Sequence, residues 1–145
     1  MPVSVRTADL HDAAAVAALS TELGYPLAAP EARDRLGTLL GSEGILVLVA
    51  EEGSKVLGWL QAQSCTTIET GLRVEIQGLV VSSAARRRGI GRALVGAAEA
   101  WASTLGAGVI LVRTNSARVE SQSFYPALGF ETSKTQVVFR KKTGV

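Results

Sequence analysis

The residues best equipped for chemistry stand together at Arg86-Arg87-Arg88-Gly89-Ile90-Gly91-Arg92. An apolar, β-branched run precedes them, residues 76–81, ending in the small polar pair Ser82 and Ser83. A pattern of helical period follows them, through Ile90, Leu94, Ala97, Ala98, Trp101 and Leu105. The order is therefore strand, basic glycine turn, helix. A helix start presents unpaired N–H groups and the positive end of its dipole, which suits a phosphate. Gly89 and Gly91 carry no Cβ, so an anion can come close to the backbone. The arginines add charge and forked donors. Binding of a pyrophosphate is the chemistry these residue types point to.

Three phosphate-binding patterns compete for this stretch. A P-loop needs GxxxxGK[ST], which the chain lacks. The dinucleotide fingerprint needs GxGxxG, and Leu94 fills its third glycine position. The pattern [Q/R]xxGx[G/A] is filled completely by residues 86–91.

The elements that must position this turn follow from periodicity. Val3-Ser4-Val5-Arg6 alternates as a short strand. Asp9 can cap a helix whose apolar face runs through Leu10, Ala13, Val16, Ala17, Leu19 and Leu23, stopped by Gly24. Pro30 and Glu31 open a second helix, ended by Gly41. Residues 45–50 form a buried strand, Gly53-Ser54 a hairpin turn and residues 56–63 its partner strand. Residues 64–71 read as a polar loop and residues 74–81 as the central strand. After the long helix come a turn at Gly106-Ala107-Gly108, a strand over 109–112 and a short helix over 120–128, ended by Gly129. Phe130 begins a last pair of strands, the second of them residues 136–140. The predicted order is βααβββαβαββ, an α/β (α+β) fold with a mixed central sheet flanked by helices, formed by residues 1–145 as a single domain. Hairpins imply antiparallel pairing in the first half. The strand–helix–strand of residues 74–112 implies a parallel, right-handed crossover.

With the turn lying between an EIxGLVV strand and a long amphipathic helix, the chain resembles the GNAT superfamily of acyl-CoA-dependent N-acetyltransferases. The segment Phe124-Tyr125-Pro126-Ala127-Leu128-Gly129-Phe130 is similar to that family's FYxxLGF. Leu23-Gly24-Tyr25-Pro26, Arg113-Thr114-Asn115 and Lys134-Thr135 look like a subgroup of small bacterial members. The resemblance covers nearly the whole chain. It implies acetyl-CoA as co-substrate, with the acetyl group passing directly to a primary amine of a small molecule or peptide in a ternary complex.

The same resemblance assigns expected roles. The pantetheine arm would lie beside the central strand and pair with the backbone of Leu79, Val80 and Val81, with an N–H near Leu79 or Val80 facing the thioester oxygen. Arg86, Arg87, Arg88, Gly89, Ile90, Gly91 and Arg92 would hold the pyrophosphate. Glu75 stands eleven residues before Arg86, where some members carry a catalytic glutamate. It is the candidate base, against the alternative of a solvated charge on a strand face. A carboxylate base working near neutral pH generally needs burial to raise its pKa. Gln77 would orient substrate if no bulge intervenes between it and Glu75. Tyr125 is the candidate acid for the departing thiolate, against the alternative of a core aromatic. Asn115 would contact pantetheine, although Arg118 or Ser121 on the longer following loop are alternatives. Pro126 departs from the family's usual polar residue and implies a helix that starts late, near Ser121 or Ser123, or is kinked. Gly78 interrupts the central strand, which marks either a bulge that splays it from the next strand or packing against a large neighbour.

Composition bounds the rest. With 145 residues, 47% hydrophobic and 19% charged, the chain can bury one real core and is not disordered. Net charge is +2, too small to imply nucleic-acid binding. One cysteine, Cys65, and one histidine, His11, leave neither an internal disulfide nor a metal cluster, and His11 reads as a surface residue. The N-terminus has no signal-peptide pattern and no apolar run approaches a membrane span, so a cytoplasmic protein without membrane attachment is expected. A homodimer is compatible with the sequence, but no leftover apolar stripe marks its face. Two rival readings stand beside the enzyme: a non-catalytic acyl-CoA-binding module of the same fold, and a nucleic-acid binder using the arginine run. The second lacks interleaved aromatics. The loops expected to face the substrate, residues 23–30, 64–71 and 132–136, carry no dense acidic cluster, which weakens, without excluding, a polycationic amine as acceptor.

Overall fold

The computed structural model describes residues 2–117 and 119–145; Arg118, named above as an alternative cofactor contact, lies outside the described residues. The chain forms two compact units, the first ending at Arg113 and the second spanning Thr114–Val145.

The first unit holds a five-stranded sheet in sequential order, β1 (Val3–Thr7), β2 (Ile45–Glu52), β3 (Lys55–Thr67), β4 (Gly71–Val81) and β5 (Ile110–Val112). β1 to β4 pair antiparallel, and β4 pairs with β5 in parallel. The parallel step is reached through α3 (Ile90–Thr104), the crossover anticipated from the sequence. Between β1 and β2 lie α1 (Ala13–Glu22) and α2 (Ala29–Leu40). The residues expected as a loop over 64–71 are mostly strand: β3 continues to Thr67 and β4 starts at Gly71. Threonine is polar but β-branched, and it fits a pleated surface as well as a loop.

Adjacent β3 residues show which helix covers which face. A Cβ on Gly58 would meet Ile90 and Leu94 of α3, whereas the Trp59 indole N–H donates to Ser20 Oγ of α1 at 3.2 Å. Neighbouring strand residues point to opposite faces, so α1 and α3 cover opposite sides of the sheet. On the α3 side, Leu60, Val74, Ile90, Leu94 and Val95 are almost fully buried. Each such side chain contributes about 1.5–3 kcal/mol relative to an exposed position. On the other side, Val16, Ala17, Ala32, Leu36, Val47 and Val49 form a second apolar cluster.

A single 3-10 turn, Leu10–Asp12, leads into α1 and is held by charge. Asp9 accepts from the His11 N–H at 2.8 Å, and Asp12 accepts in return from the Asp9 N–H at 2.8 Å. Asp12 also takes two hydrogen bonds from the Arg6 guanidinium, at 2.8 and 2.9 Å, tying β1 to this turn.

In the second unit, α4 spans Val119–Ala127. Of the two alternatives drawn from Pro126, a late start or a kink, the late start is therefore not met. Proline falls in the last turn instead, where the missing N–H costs one hydrogen bond at the helix end. Residues 131–145 form neither strand nor helix, so the expected last pair of strands is not formed. The alternation of residues 136–140 is a strand pattern, but a strand also needs a neighbour. Val137, Val138 and Phe139 are 78%, 82% and 92% exposed. The described chain accordingly has five strands where the sequence suggested seven.

Candidate functional site

The glycine turn leaves β4 through a short 3-10 segment at Ser83–Ala85 and reaches α3 at Ile90. Arg87 and Gly89 both adopt positive φ, 66° and 76°. Such left-handed steps turn successive backbone N–H groups toward one side, a concavity suited to an anion. Gly89 is the N-cap of α3 and supplies no side-chain cap, and no acid lies in the helix's first turn. The N–H groups of the first turn thus keep their hydrogen-bonding capacity, at the positive end of a 15-residue helix. A Cβ placed on Gly89 would meet nothing within 4 Å, so the space above the turn is open. Arg86, Arg87, Arg88 and Arg92 are exposed around it. This donor set fits a pyrophosphate.

Two carboxylates hold the turn from elsewhere in the first unit. Glu22, the last residue of α1, accepts from the Ser83 N–H at 3.0 Å and from the Ser83 hydroxyl. These bonds keep its carboxyl below the usual range. Glu52, the last residue of β2, is paired with Arg88, and that bond likewise depresses its carboxyl. Sequence reasoning missed both, because each is an isolated acid far along the chain from the turn it touches.

β4 reaches the turn with a defect. Gln61 opposes Gly78 and Ala62 opposes Ile76, which leaves Gln77 as an extra residue. That is a β-bulge. A Cβ on Gly78 would also lie 2.9 Å from the Trp59 ring. Both readings of Gly78 therefore hold. The bulge breaks the plain alternation that would have aligned Gln77 with Glu75. The ladder to β5 stops at the same place: its registered pairs are Val74–Ile110, Glu75–Leu111 and Ile76–Val112. Among the described residues no strand pairs with residues 77–81 on the β5 side. Leu79, Val80 and Val81 thus lie on a backbone edge free of strand pairing on the β5 side, separated from the glycine turn by the 3-10 segment.

Glu75 sits just before the bulge. Its side chain is 16% exposed and accepts from Arg113 Nε at 3.3 Å. Gln63 of β3 opposes it in register. The residue is therefore a partly buried, ion-paired carboxylate at the end of the β4–β5 ladder, rather than a freely solvated charge.

Tyr125 and Asn115 belong to the second unit. Tyr125 packs edge-on against Phe124 and Phe130, with ring centroids 4.9 and 5.5 Å away. Asn115 is exposed and its side chain accepts from the Ala117 N–H at 2.9 Å. The first unit thus carries Glu75, Leu79 to Val81 and the arginine–glycine turn in succession along β4 and into α3.

Comparison with known proteins gives a consistent picture. The sequence pattern of the acetyltransferase (GNAT) family matches residues 11–130. No curated protein matches the chain at a significant level. Among solved structures, a protein described as a transcriptional regulator from Bacillus halodurans C-125 is 26% identical, over 97% of this chain and 100% of that one, with a TM-score of 0.83. The aminoglycoside N-acetyltransferase AAC(6')-Iy, in complex with CoA, is 19% identical over 97% of this chain and 95% of that one, with a TM-score of 0.87. The aminoglycoside 6'-N-acetyltransferase AAC(6')-Ih from Acinetobacter baumannii is 20% identical over 99% and 100%, with a TM-score of 0.85. At such identity these two share the fold.

Proposed function

The chain belongs to the GNAT acetyltransferase family, and from that premise we propose that it moves an acetyl group from acetyl-CoA to a primary amine by direct transfer within a ternary complex. The family match runs across the junction at Arg113, which supports treating residues 1–145 as one catalytic domain. The observation that carries the reading is the joined pair of features on β4 and α3. A backbone edge at Leu79, Val80 and Val81, free of strand pairing on the β5 side among the described residues, leads through the short segment at Ser83–Ala85 into an uncapped, open glycine turn ringed by arginines.

An acetyl thioester arrives already activated, so the protein's work is positioning, charge stabilisation and proton transfer. In this proposal residues 86–92 bind the pyrophosphate through backbone N–H groups and guanidinium charge. The edge of β4 beyond the bulge holds the pantetheine amides as an added strand would. An N–H of Leu79 or Val80 meets the thioester oxygen as negative charge develops there. Glu75 accepts the proton of the amine, directly or through a water, with Arg113 fixing its carboxylate. Tyr125 protonates the departing thiolate, and Asn115 contacts the pantetheine arm.

The test is an acetylation assay with the purified chain, acetyl-CoA and a broad panel of primary amines, read as free thiol. Amine-dependent thiol release with equimolar acetylated product supports the enzyme. Saturable acetyl-CoA binding with no release across the panel would make the chain an acyl-CoA-binding module instead.

A further inference from the structure

Between α2 and the sheet lies a cavity of about 170 Å³. Val47 of β2 and Trp59 and Gln61 of β3 line it from the sheet, Ala32 and Arg35 line it from α2 among other residues of the α1–α2 core, and Leu27 lines it from the segment between those helices. All its lining residues except Gln61 and Arg35 are apolar, and none carries a carboxylate. The Trp59 N–H is already used by Ser20, so the ring offers the cavity only carbon.

This cavity adjoins the proposed reaction centre. Opposed residues of an antiparallel pair share a face, and Gln61 opposes Gly78 at the bulge while Gln63 opposes Glu75. The cavity's edge at Gln61 and the Glu75 carboxylate are therefore on one side of the sheet. They are offset by about 7 Å along the strand, the length of two residues, and by one strand spacing of about 5 Å across it. We infer that this cavity receives the apolar side group of the acceptor, so that the substrate is a primary amine bearing an aromatic ring or a branched aliphatic group on a short tether. The inference rests on the acetyl-transfer reading for what happens to the amine, but not for what fills the cavity.

Three observations favour that occupant. The volume suits a single ring, since a dry cavity of about 150 Å³ lined by aliphatic and aromatic side chains accepts benzene. The diagonal of about 8 Å from Gln61 to Glu75 is spanned by a tether of two or three carbons ending in an amine and its hydrogen bond to the carboxylate. The charge is wrong for a polycation: the one ionic group in the lining is the cation Arg35, and the carboxylate 3.6 Å from it, Glu31, lies outside the lining, so an amine with several positive centres would meet a cation and no acid within the cavity.

The probes are 2-phenylethylamine, ethylamine, which lacks the ring, and spermidine, a polycation. Binding is measured first by calorimetry, with desulfo-CoA present so that no turnover is needed. It is then followed by Trp59 emission in a Trp101→Phe background, where Trp59 is the sole indole. Phenylethylamine should bind saturably, perturb Trp59 and be acetylated with kcat/KM about a hundredfold above ethylamine, in the range a hydrophobic pocket can supply. Ala32→Phe should fill the cavity and weaken phenylethylamine binding at least tenfold while desulfo-CoA affinity stays unchanged. Leu27→Phe narrows the cavity from outside the regular elements and should weaken it in the same direction if the α2 variant does not fold. Preference for spermidine, or phenylethylamine binding indifferent to the filling variants, would overturn the assignment. Phenylethylamine binding that the filling variants abolish, with no acetyl transfer to any amine, would leave the pocket standing and remove the acetyl-transfer reading. Acetylation of all three amines alike would do the reverse.

Discussion

The Trp59 ring occupies the space a side chain on Gly78 would need: an added Cβ would stand 2.9 Å from its Cη2 and Cζ3 atoms. The indole is pinned by its bond to Ser20, so it cannot swing aside freely. Gly78→Ala is therefore expected to destabilise the fold by about 1–3 kcal/mol, the usual cost of overpacking. Chemical denaturation measures it. In the Trp59→Phe background the ring is smaller, and most of the Gly78→Ala penalty should vanish. Strictly additive losses in the double-mutant cycle would show that the two residues do not compete for the same space.

Gly89→Asp tests the anion site. The left-handed backbone there disfavours most side chains, but aspartate tolerates it better than most. The open space means that no protein atom is displaced. The variant should keep its circular dichroism spectrum and lose acetyl-CoA affinity at least a hundredfold, because a carboxylate would stand in the proposed pyrophosphate site. Unchanged affinity with an intact fold would remove the cofactor assignment.

Glu52 pairs with Arg88, one of the arginines proposed to hold that anion. Its depressed carboxyl keeps the pair intact throughout the neutral range. Glu52→Gln should free the guanidinium and remove a negative charge, raising acetyl-CoA affinity roughly twofold to fivefold, the size of an exposed ion pair. The gain should shrink as salt is added. A loss of affinity at low salt would mean that Glu52 holds Arg88 in its binding pose.

What the sequence made legible was local. The helix start after Gly89, the apolar stripe of Ile90, Leu94 and Ala98, and the strand before the turn depend on nearby residues and stand as expected. The extent of β3 and β4 was underestimated because Ser64, Thr66 and Thr67 look loop-like by polarity yet pair across the hairpin. The tail was overestimated for the opposite reason: residues 136–140 alternate like a strand, but pairing is a non-local property that alternation cannot supply. Glu22, Glu52 and the cavity beside Trp59 were invisible because each exists only once distant segments pack.

Acid stability should report on Asp12. Its side chain is 6% exposed and Arg6 holds its carboxyl below the usual range, chiefly through their paired hydrogen bonds. A carboxyl depressed in the folded state stabilises the protein at pH values above its unfolded pKa, roughly 3.9. That contribution disappears as pH falls through the lower folded value. Asp12→Asn should therefore cost about 1–3 kcal/mol at neutral pH, since one partner is removed and Arg6 remains partly solvated. The difference from the parent should close in strong acid. Thermal unfolding across pH 2–7 checks both parts, and a gap that stays constant down to pH 2 would mean that the loss is one of packing rather than charge.

Glu75→Gln tests the proposed base while keeping size and hydrogen-bonding capacity. The carboxylate is held by Arg113, so Arg113→Gln provides a second handle that leaves Glu75 itself in place. If Glu75 takes the amine's proton, Glu75→Gln should retain acetyl-CoA affinity and lose kcat/KM for the amine by about 10²–10⁴-fold, the usual size of general base catalysis. The loss should be greatest at low pH, where almost all the amine is protonated, and should shrink as pH approaches the amine's own pKa, where solvent already supplies the free base. Arg113→Gln should give a smaller loss, because it removes the group that positions the base and leaves the base. In the Glu75→Gln background the Arg113 change should add little, since no carboxylate remains to be positioned. A pH–rate profile for Glu75→Gln that superimposes on the parent would return Glu75 to a structural ion pair closing the β4–β5 ladder.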